Sequence, residues 1–263
     1  MQEHAFVIPA YKDSPYLEEC ILSLKNQSVS SAIIITTATP SVYLKNIAEK
    51  HGLPYFINEN SPSISGDWNF ALHKANAKYI TIAHQDDIYD NEFSAKVLNA
   101  IKRNNDSLLG FTDYYEMTGD TVTGNSLNLI VKRILLLPFY ISQNIRNRFL
   151  KKSVLSIGNP ICCPSVTINT QLLQGFQFSG RYACALDWQA WLDAAMKEGS
   201  FVYINQKLLT HRIHTASETT NQIVNGRRLL EEKEILQRIW GKPVGSFISD
   251  IYKLAQKGNI TKA

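Results

Sequence analysis

No run of this 263-residue chain stays apolar for the ~20 residues that a membrane-spanning helix requires. A signal peptide is not expected, because Met1–His4 lead directly into an apolar segment. Cysteine is scarce: Cys20, Cys162, Cys163 and Cys184 fit no zinc spacing, and an adjacent pair does not make a disulfide framework. A reducing cytoplasm is the expected setting. Acidic residues are missing altogether between Asp120 and Asp187, an interval that holds Lys132, Arg133, Arg146, Arg148, Lys151, Lys152 and Arg181. The rest of the chain carries 20 basic and 23 acidic residues, so the net charge of +4 belongs to one region.

What is present is a globular composition. Hydrophobic residues make up 44% and charged residues 19%, enough for one large α/β domain. Ala5–Pro9 (AFVIP) reads as a strand, and Ser14-Pro15 is expected to cap a helix carrying Leu17, Ile21, Leu22 and Leu24. Ala32–Thr37 (AIIITT) is a continuous apolar run of the kind found in parallel sheets covered on both faces. A helix over Pro40–His51 ending at Gly52, a short strand Tyr55–Ile57 and a helix from Ser65-Gly66-Asp67 follow. Tyr79–Ala83 then forms a central strand, Asn91–Asn104 a helix and Leu108–Thr112 another strand. This alternation predicts βαβ units and a parallel sheet. Further on, Ser165–Asn169 reads as a strand, Ala185–Glu198 as an amphipathic helix, Phe201–Asn205 and Leu208–Ile213 as a hairpin, and the chain from Ile223 as helical.

The stretch YITIAHQDDIY organises the rest. Its apolar run ends in Asp86 and Asp87, and ligands of open α/β sheets bind at the carboxyl ends of strands. One or two carboxylates there, with substrate phosphates, suffice to hold Mg²⁺ or Mn²⁺.

Four landmarks in this order, VIPAY, SGDWNFALHKANAKYI running into HQDD, ALDWQAWL and HRIHTAS, resemble the family two inverting glycosyltransferases. The resemblance covers roughly residues 3–220 and implies a GT-A fold: a Rossmann-like, mostly parallel sheet with helices on both faces, an acceptor-side extension and C-terminal helices. It implies a nucleotide-sugar-binding half over 1–115, an acceptor-binding and catalytic half over 116–222, and a helical tail over 223–263. The implied reaction moves a sugar from a nucleotide diphosphate, expected to be a UDP-sugar, to an acceptor hydroxyl with inversion, using a divalent metal. Surface polysaccharide or glycoprotein glycan synthesis is the setting it implies, with a glycan, glycoprotein or lipid-linked acceptor.

Carried over by residue, the resemblance places Pro9, Ala10, Tyr11, Thr37, Asp67, Gln85, Asp86 and Arg212 against the nucleotide-sugar. It makes Asp86, His214 and His84 the metal ligands and Asp187 the catalytic base. One carboxylate must take the acceptor proton as its oxygen attacks the anomeric carbon. The alternative reading of Asp187 is a helix cap. Two departures stand out: Thr36 and Thr37 occupy the end of the second strand, where an acid usually meets uracil, and Trp68 precedes Asn69 where an arginine is common. His84, which stands where the family has an acid, and the Thr36–Thr37 replacement support an alternative function, a non-catalytic partner that keeps the fold; retention of Asp86, Asp187 and the HRIH segment argues against it. A sugar-nucleotide nucleotidyltransferase is disfavoured, since AYKDSPY after the first strand holds no glycine-rich phosphate loop.

The basic, apolar interval Leu127–Lys152 has three readings: peripheral contact with anionic lipid, an oligomer contact, or ordinary helices over the sheet with Lys and Arg on the wet face. Nucleic acid is not an expected partner, because aromatics are not interleaved with the charges.

Overall fold

The structure, a computed structural model, describes residues 1–60, 62–214 and 226–260, with residues 252–260 as backbone. A ten-stranded sheet runs through it. Strands β1 (Gln2–Pro9), β2 (Ala32–Thr37), β3 (Tyr55–Ile57) and β4 (Ala77–Ile82) are mutually parallel in the order β3-β2-β1-β4. Val7 sits level with Ile34 on one side and Ile82 on the other. Next to β4 comes β9 (Val166–Asn169), antiparallel to it, then β6 (Ser107–Thr118), then β10 (Ser200–Ile213), parallel to β6. The short β5 (Ile88–Tyr89) closes the order against β10; β7 (Thr121–Thr123) pairs β6 and β8 (Asn144–Ile145) pairs β10.

Alternation along β1 divides the core. Phe6 and Ile8 point to the face covered by α1 (Leu17–Lys25), α2 (Val42–His51) and α4 (Phe93–Lys102), whereas Ala5 and Val7 face the other side. There α3 (Ile64–Lys74), α6 (Leu137–Ile141), α7 (Arg148–Val154), α8 (Leu186–Ala195) and α9 (Arg227–Trp240) supply the cover. Complete burial of each such side chain contributes about 1.5–3 kcal/mol. Helix α5 (Leu127–Leu135) touches the first core through Leu129 alone, and α10 (Lys242–Ile260) packs on α9, with Gln237 Nε2 donating to Ser246 Oγ at 2.9 Å.

Local signals bound two of these helices: Gly52 ends α2 as expected, whereas α3 starts at Ile64, one residue before the expected Ser65. Ser41 Oγ accepts from Leu44 N at 3.1 Å to start α2, and Gly52, at φ 63°, closes it. Ser63 caps α3, and a Cβ on Gly66 would lie 2.6 Å from the Ser63 hydroxyl, so glycine is what lets this cap close.

Five expectations need correction. The hairpin at Gln206-Lys207 is absent: β10 is one strand beside the full length of β6, with register shifts after Ile204 and Lys207. Gln-Lys lacks the positive-φ residues of a tight hairpin, so the polar break becomes a bulge. Strand β6 runs past Thr112 to Thr118 because β10 gives it a partner. Helix α1 starts at Leu17 without a side-chain cap; Ser14 is used elsewhere. Helix α8 is buried nearly all round, not amphipathic, because α9 covers it. Finally, Lys151 is not on a wet face. It is fully buried, its ammonium donating to the carbonyls of Lys197 (2.9 Å) and Gly199 (2.6 Å) above the Phe201 ring. The expected start of the tail helix at Ile223 lies outside the described residues.

Candidate active site

The carboxyl ends of β1, β2, β4 and β10 meet on one edge. After β1 the chain turns through Lys12, whose φ of 55° is the left-handed conformation. Lys12 N donates to Thr39 Oγ1 at 2.7 Å, and Thr39 N to Thr37 Oγ1 at 2.9 Å, which ties this turn to the end of β2. Gln85 ties it to the end of β4: Tyr11 N donates to Gln85 Oε1 and Gln85 Nε2 to Tyr11 O, both at 3.0 Å. Ala10 N donates to Thr36 O at 2.7 Å, fixing the segment from Pro9 to Tyr11. Asp67 joins through Asn58, whose amide donates to the Asp67 carboxylate at 2.8 Å while its backbone N–H donates to Thr37 O at 2.7 Å. Burial raises the Asp67 carboxyl above its ordinary value.

The two adjacent acids have separate tasks. Both lie in the turn between β4 and β5. Asp87 turns inward and is fully buried; it accepts from His211 Nδ1 at 2.9 Å and Arg212 N at 3.0 Å. Burial pushes its carboxyl up, but the His211 charge and these hydrogen bonds outweigh that and leave it low, while the same carboxylate raises His211 against its own desolvation. Asp86 faces the edge. Its carboxylate accepts from Ser14 Oγ at 2.8 Å and lies 3.1 Å from His214 Nε2. Arg212 Nε donates to Asp86 O at 3.0 Å, its guanidinium stacks over the Tyr16 ring at 4.2 Å, and its far end pairs with Glu19 at 2.6 Å. The buried Asp87–His211 lock thus holds Arg212 and His214 beside Asp86.

His84 lies within electrostatic reach of Asp87, Asp86 and His211. Its ring lies against Trp68, 5.2 Å between centroids, and burial holds it below the ordinary imidazole value. Among the described residues no group of three metal-ligating side chains forms. Asp86 and His214 lie together at the edge, 3.1 Å between carboxylate and imidazole.

Asp187 stands in the first turn of α8 and does not cap it: Ala185 is the cap position, and Asp187 Oδ1 accepts from its neighbour Trp188 N at 2.8 Å. Its Oδ2 accepts from Asn159 Nδ2 at 2.8 Å. Burial raises the carboxyl above its ordinary value, with Trp188 N, the Arg228 and Lys132 charges and Asn159 opposing. The start of α8 is held from α9 instead. The Glu231 carboxylate accepts from the backbone N–H groups of Ala183, Cys184 and Ala185, the shortest at 2.7 Å, and from Arg227 Nε at 2.9 Å. Sequence reasoning missed Ser14, Asn159, Arg228 and Glu231. Asn159 had one visible mark, a Gly158-Asn159-Pro160 turn inside the acid-free interval.

A sheet edge that gathers a bonded backbone turn, a carboxylate–imidazole pair and an arginine, followed by a buried carboxylate on a later helix, defines a nucleotide-sugar glycosyltransferase with the GT-A fold. The chain belongs to glycosyl transferase family 2, whose model matches residues 5–171. Asp187, Arg212 and His214 lie beyond the matched residues. The fold is similar to residues 1–349 of S. aureus TarS, with a TM-score of 0.63 at 14% identity, covering 91% of this chain and 71% of that one. It is also similar to that protein in complex with UDP (TM-score 0.60, 15% identity, 90% and 70% covered) and with UDP-GlcNAc (0.63, 14%, 91% and 72%). A comparison with curated proteins finds no match.

Proposed function

We propose that this glycosyltransferase uses a UDP-sugar and inverts the anomeric centre, with Asp187 as the base. The observation that carries the reading is the Asp187 carboxylate. It is desolvated, raised in pKa and oriented by Asn159 and Trp188 N, so it is a better proton acceptor than an exposed aspartate. Inversion needs one such group, on the face opposite the leaving diphosphate. The solved complexes of the similar TarS hold UDP and UDP-GlcNAc, which supports a uridine donor here.

On the donor side, Tyr11, Thr37 and Asp67 line the base and ribose end, and Arg212 offers its guanidinium to the diphosphate. A divalent cation fits between Asp86 and His214, an oxygen and an imidazole donor already 3.1 Å apart, and His214 makes Mn²⁺ a better match than Mg²⁺. Such a cation supplies charge neutralisation on the leaving diphosphate. Asp86 would then exchange its contact with His214 for one to the metal while Ser14 keeps it oriented.

Asp187→Asn tests the reading. Asparagine keeps the size and one acceptor oxygen, so the fold should survive. Transfer should fall by roughly 10²–10⁴-fold. The acid limb of the wild-type pH profile should have its midpoint above the ordinary aspartate value, because only the ionised form accepts a proton. Transfer by Asp187→Asn at a rate near wild type would remove the base from this mechanism.

A further inference from the structure

The interval from Leu127 to Ile157 presents an apolar face to solvent. Along α5 the exposed side chains are Leu127, Ile130, Val131 and Ile134, spaced i, i+3, i+4 and i+7, which is one stripe of a helix. The stripe continues through Leu137 and Ile141 of α6, and Ile141 is 92% exposed. A cavity of about 480 Å³ beside it is lined by Leu137, Pro138, Ile141, Ile145 and Leu150. Phe149 on α7 is 83% exposed, and Ile157 is exposed beyond it. The opposite sides of these helices already serve the core through Leu129, Leu136 and Phe139. An outward stripe of this length has no folding role, and an apolar patch so continuous marks an interaction surface.

Charge selects the occupant. The exposed cations among the apolar residues are Arg146, Arg148 and Lys152, while Lys132 and Arg133 of α5 are half-buried and turned to Tyr114 and Asp113, and no acid occurs from residue 121 to 186. Asp106 and Glu198, from outside the interval, pair with Arg146 at 3.3 Å and Arg148 at 3.1 Å. Such exposed pairs are weak and would yield to a denser anionic surface. A symmetric contact with a second copy would bring these same cations together. No helix among the described residues is long and apolar enough to cross a membrane, so the face would lie on one.

We propose that α5, α6 and α7 dock this protein on an anionic lipid surface, with Ile134, Ile141 and Phe149 entering the boundary of the acyl region and Arg146, Arg148 and Lys152 meeting lipid phosphate. Helix α7 runs into Leu155, whose carbonyl accepts from Trp188 Nε1 at 2.8 Å, and on to Asn159, which orients Asp187. The cations of the face are anchored at the other end of α8: Arg146 pairs with Asp106 just before β6 and Arg148 with Glu198 just before β10, at the amino ends of these strands.

The test is co-sedimentation of the full chain with vesicles of phosphatidylcholine alone and of phosphatidylcholine with phosphatidylglycerol. Binding is expected to the anionic vesicles and to weaken with salt. Replacing Ile134, Ile141 and Phe149 together by Ser should abolish it, with the melting temperature and UDP-sugar hydrolysis unchanged. Replacing Arg146, Arg148 and Lys152 by Gln should lower partitioning by on the order of 10²-fold and flatten the salt dependence. Failure of the wild type to bind anionic vesicles overturns the proposal. So does a wild-type dimer, seen by light scattering, that the Ser variant converts to monomer without any vesicle binding. Because neither arm measures transfer, an active Asp187→Asn would sink the proposed base and leave this surface standing.

Discussion

The Glu231 carboxylate on α9 holds the start of α8. Replacing it with alanine leaves the backbone N–H groups of Ala183, Cys184 and Ala185 without their acceptor at the start of a buried helix, and frees Arg227. A buried donor left unpaired costs about 1–3 kcal/mol. A carboxylate at a helix N-terminus adds about 0.3–1 kcal/mol, or ~2 when partly buried. Water reaching the opened site would satisfy part of this, so the expected loss is about 3–5 kcal/mol, a large share of the 5–15 kcal/mol typical of a domain. Urea denaturation should show the midpoint falling at unchanged slope. Glu231→Gln, which keeps one oxygen, should lose roughly half as much. The pH dependence has a definite sign. The folded Glu231 carboxyl lies below its ordinary value of 4.5, held there by the three backbone donors and Arg227 against its own desolvation. Its stabilisation is therefore present above pH 4.5 and is lost as pH falls through the lower folded value, so the gap between wild type and Glu231→Gln should close in acid. Since Ala185 is two residues from Asp187, transfer by Glu231→Ala should drop under conditions where the chain is still folded. An alanine variant with the wild-type midpoint would refute the reasoning, because the three N–H groups would then have found water at no cost.

Other perturbations separate donor, fold and surface. His211→Ala strands the buried Asp87 charge and should destabilise by about 3–5 kcal/mol; the pair's contribution should fade as pH drops through the lowered Asp87 value and as pH rises through the raised His211 value, and a variant with unchanged denaturation would contradict this lock. Asp86→Ala should fold normally and lose Mn²⁺-dependent UDP binding in calorimetry; wild-type binding would exclude Asp86 from the donor site. Lys151→Ala should cost about 2–4 kcal/mol, since it empties a core position and strands two carbonyls, while a surface lysine such as Lys152 should cost nearly nothing. Equal melting temperatures for the two lysine variants would contradict the burial of Lys151.

Much of the donor half was legible because its signals are local. The β1 and β2 runs and Gly52 need no knowledge of distant chain. Asp86, Arg212 and His214, named on resemblance, converge in space. The errors arise where a partner far along the chain decides. The break at Gln206-Lys207 looks like a turn until β6 is known to continue beside it. Ser14-Pro15 reads as a cap until Asp86, 72 residues later, takes the hydroxyl. Lys151 cannot be told from Lys152 by type, and only the carbonyls at 197 and 199 separate them. The Trp68 ring beside His84 is another partner that the strand pattern does not reveal.

The same long-range partners explain how two catalytic halves with different origins in the chain stay in register. The donor edge is formed by loops after β1, β2 and β4, and the proposed base sits on α8 beyond the family match. Neither position is set by the strands alone. Two buried carboxylates set them: Asp87 draws the end of β10 down to β4, and Glu231 draws the loop before α8 onto α9. Each accepts charge-assisted hydrogen bonds in a desolvated place, where losing the partner is more costly than at the surface. Asp86, with its side chain 21% exposed, is left facing the edge because this structural burden falls on Asp87. A single acid asked to do both tasks would be locked by its hydrogen bonds and unable to exchange them for a metal or a proton. The division between Asp86 and Asp87, adjacent in the turn between β4 and β5, leaves the outer acid adjustable on a rigid frame.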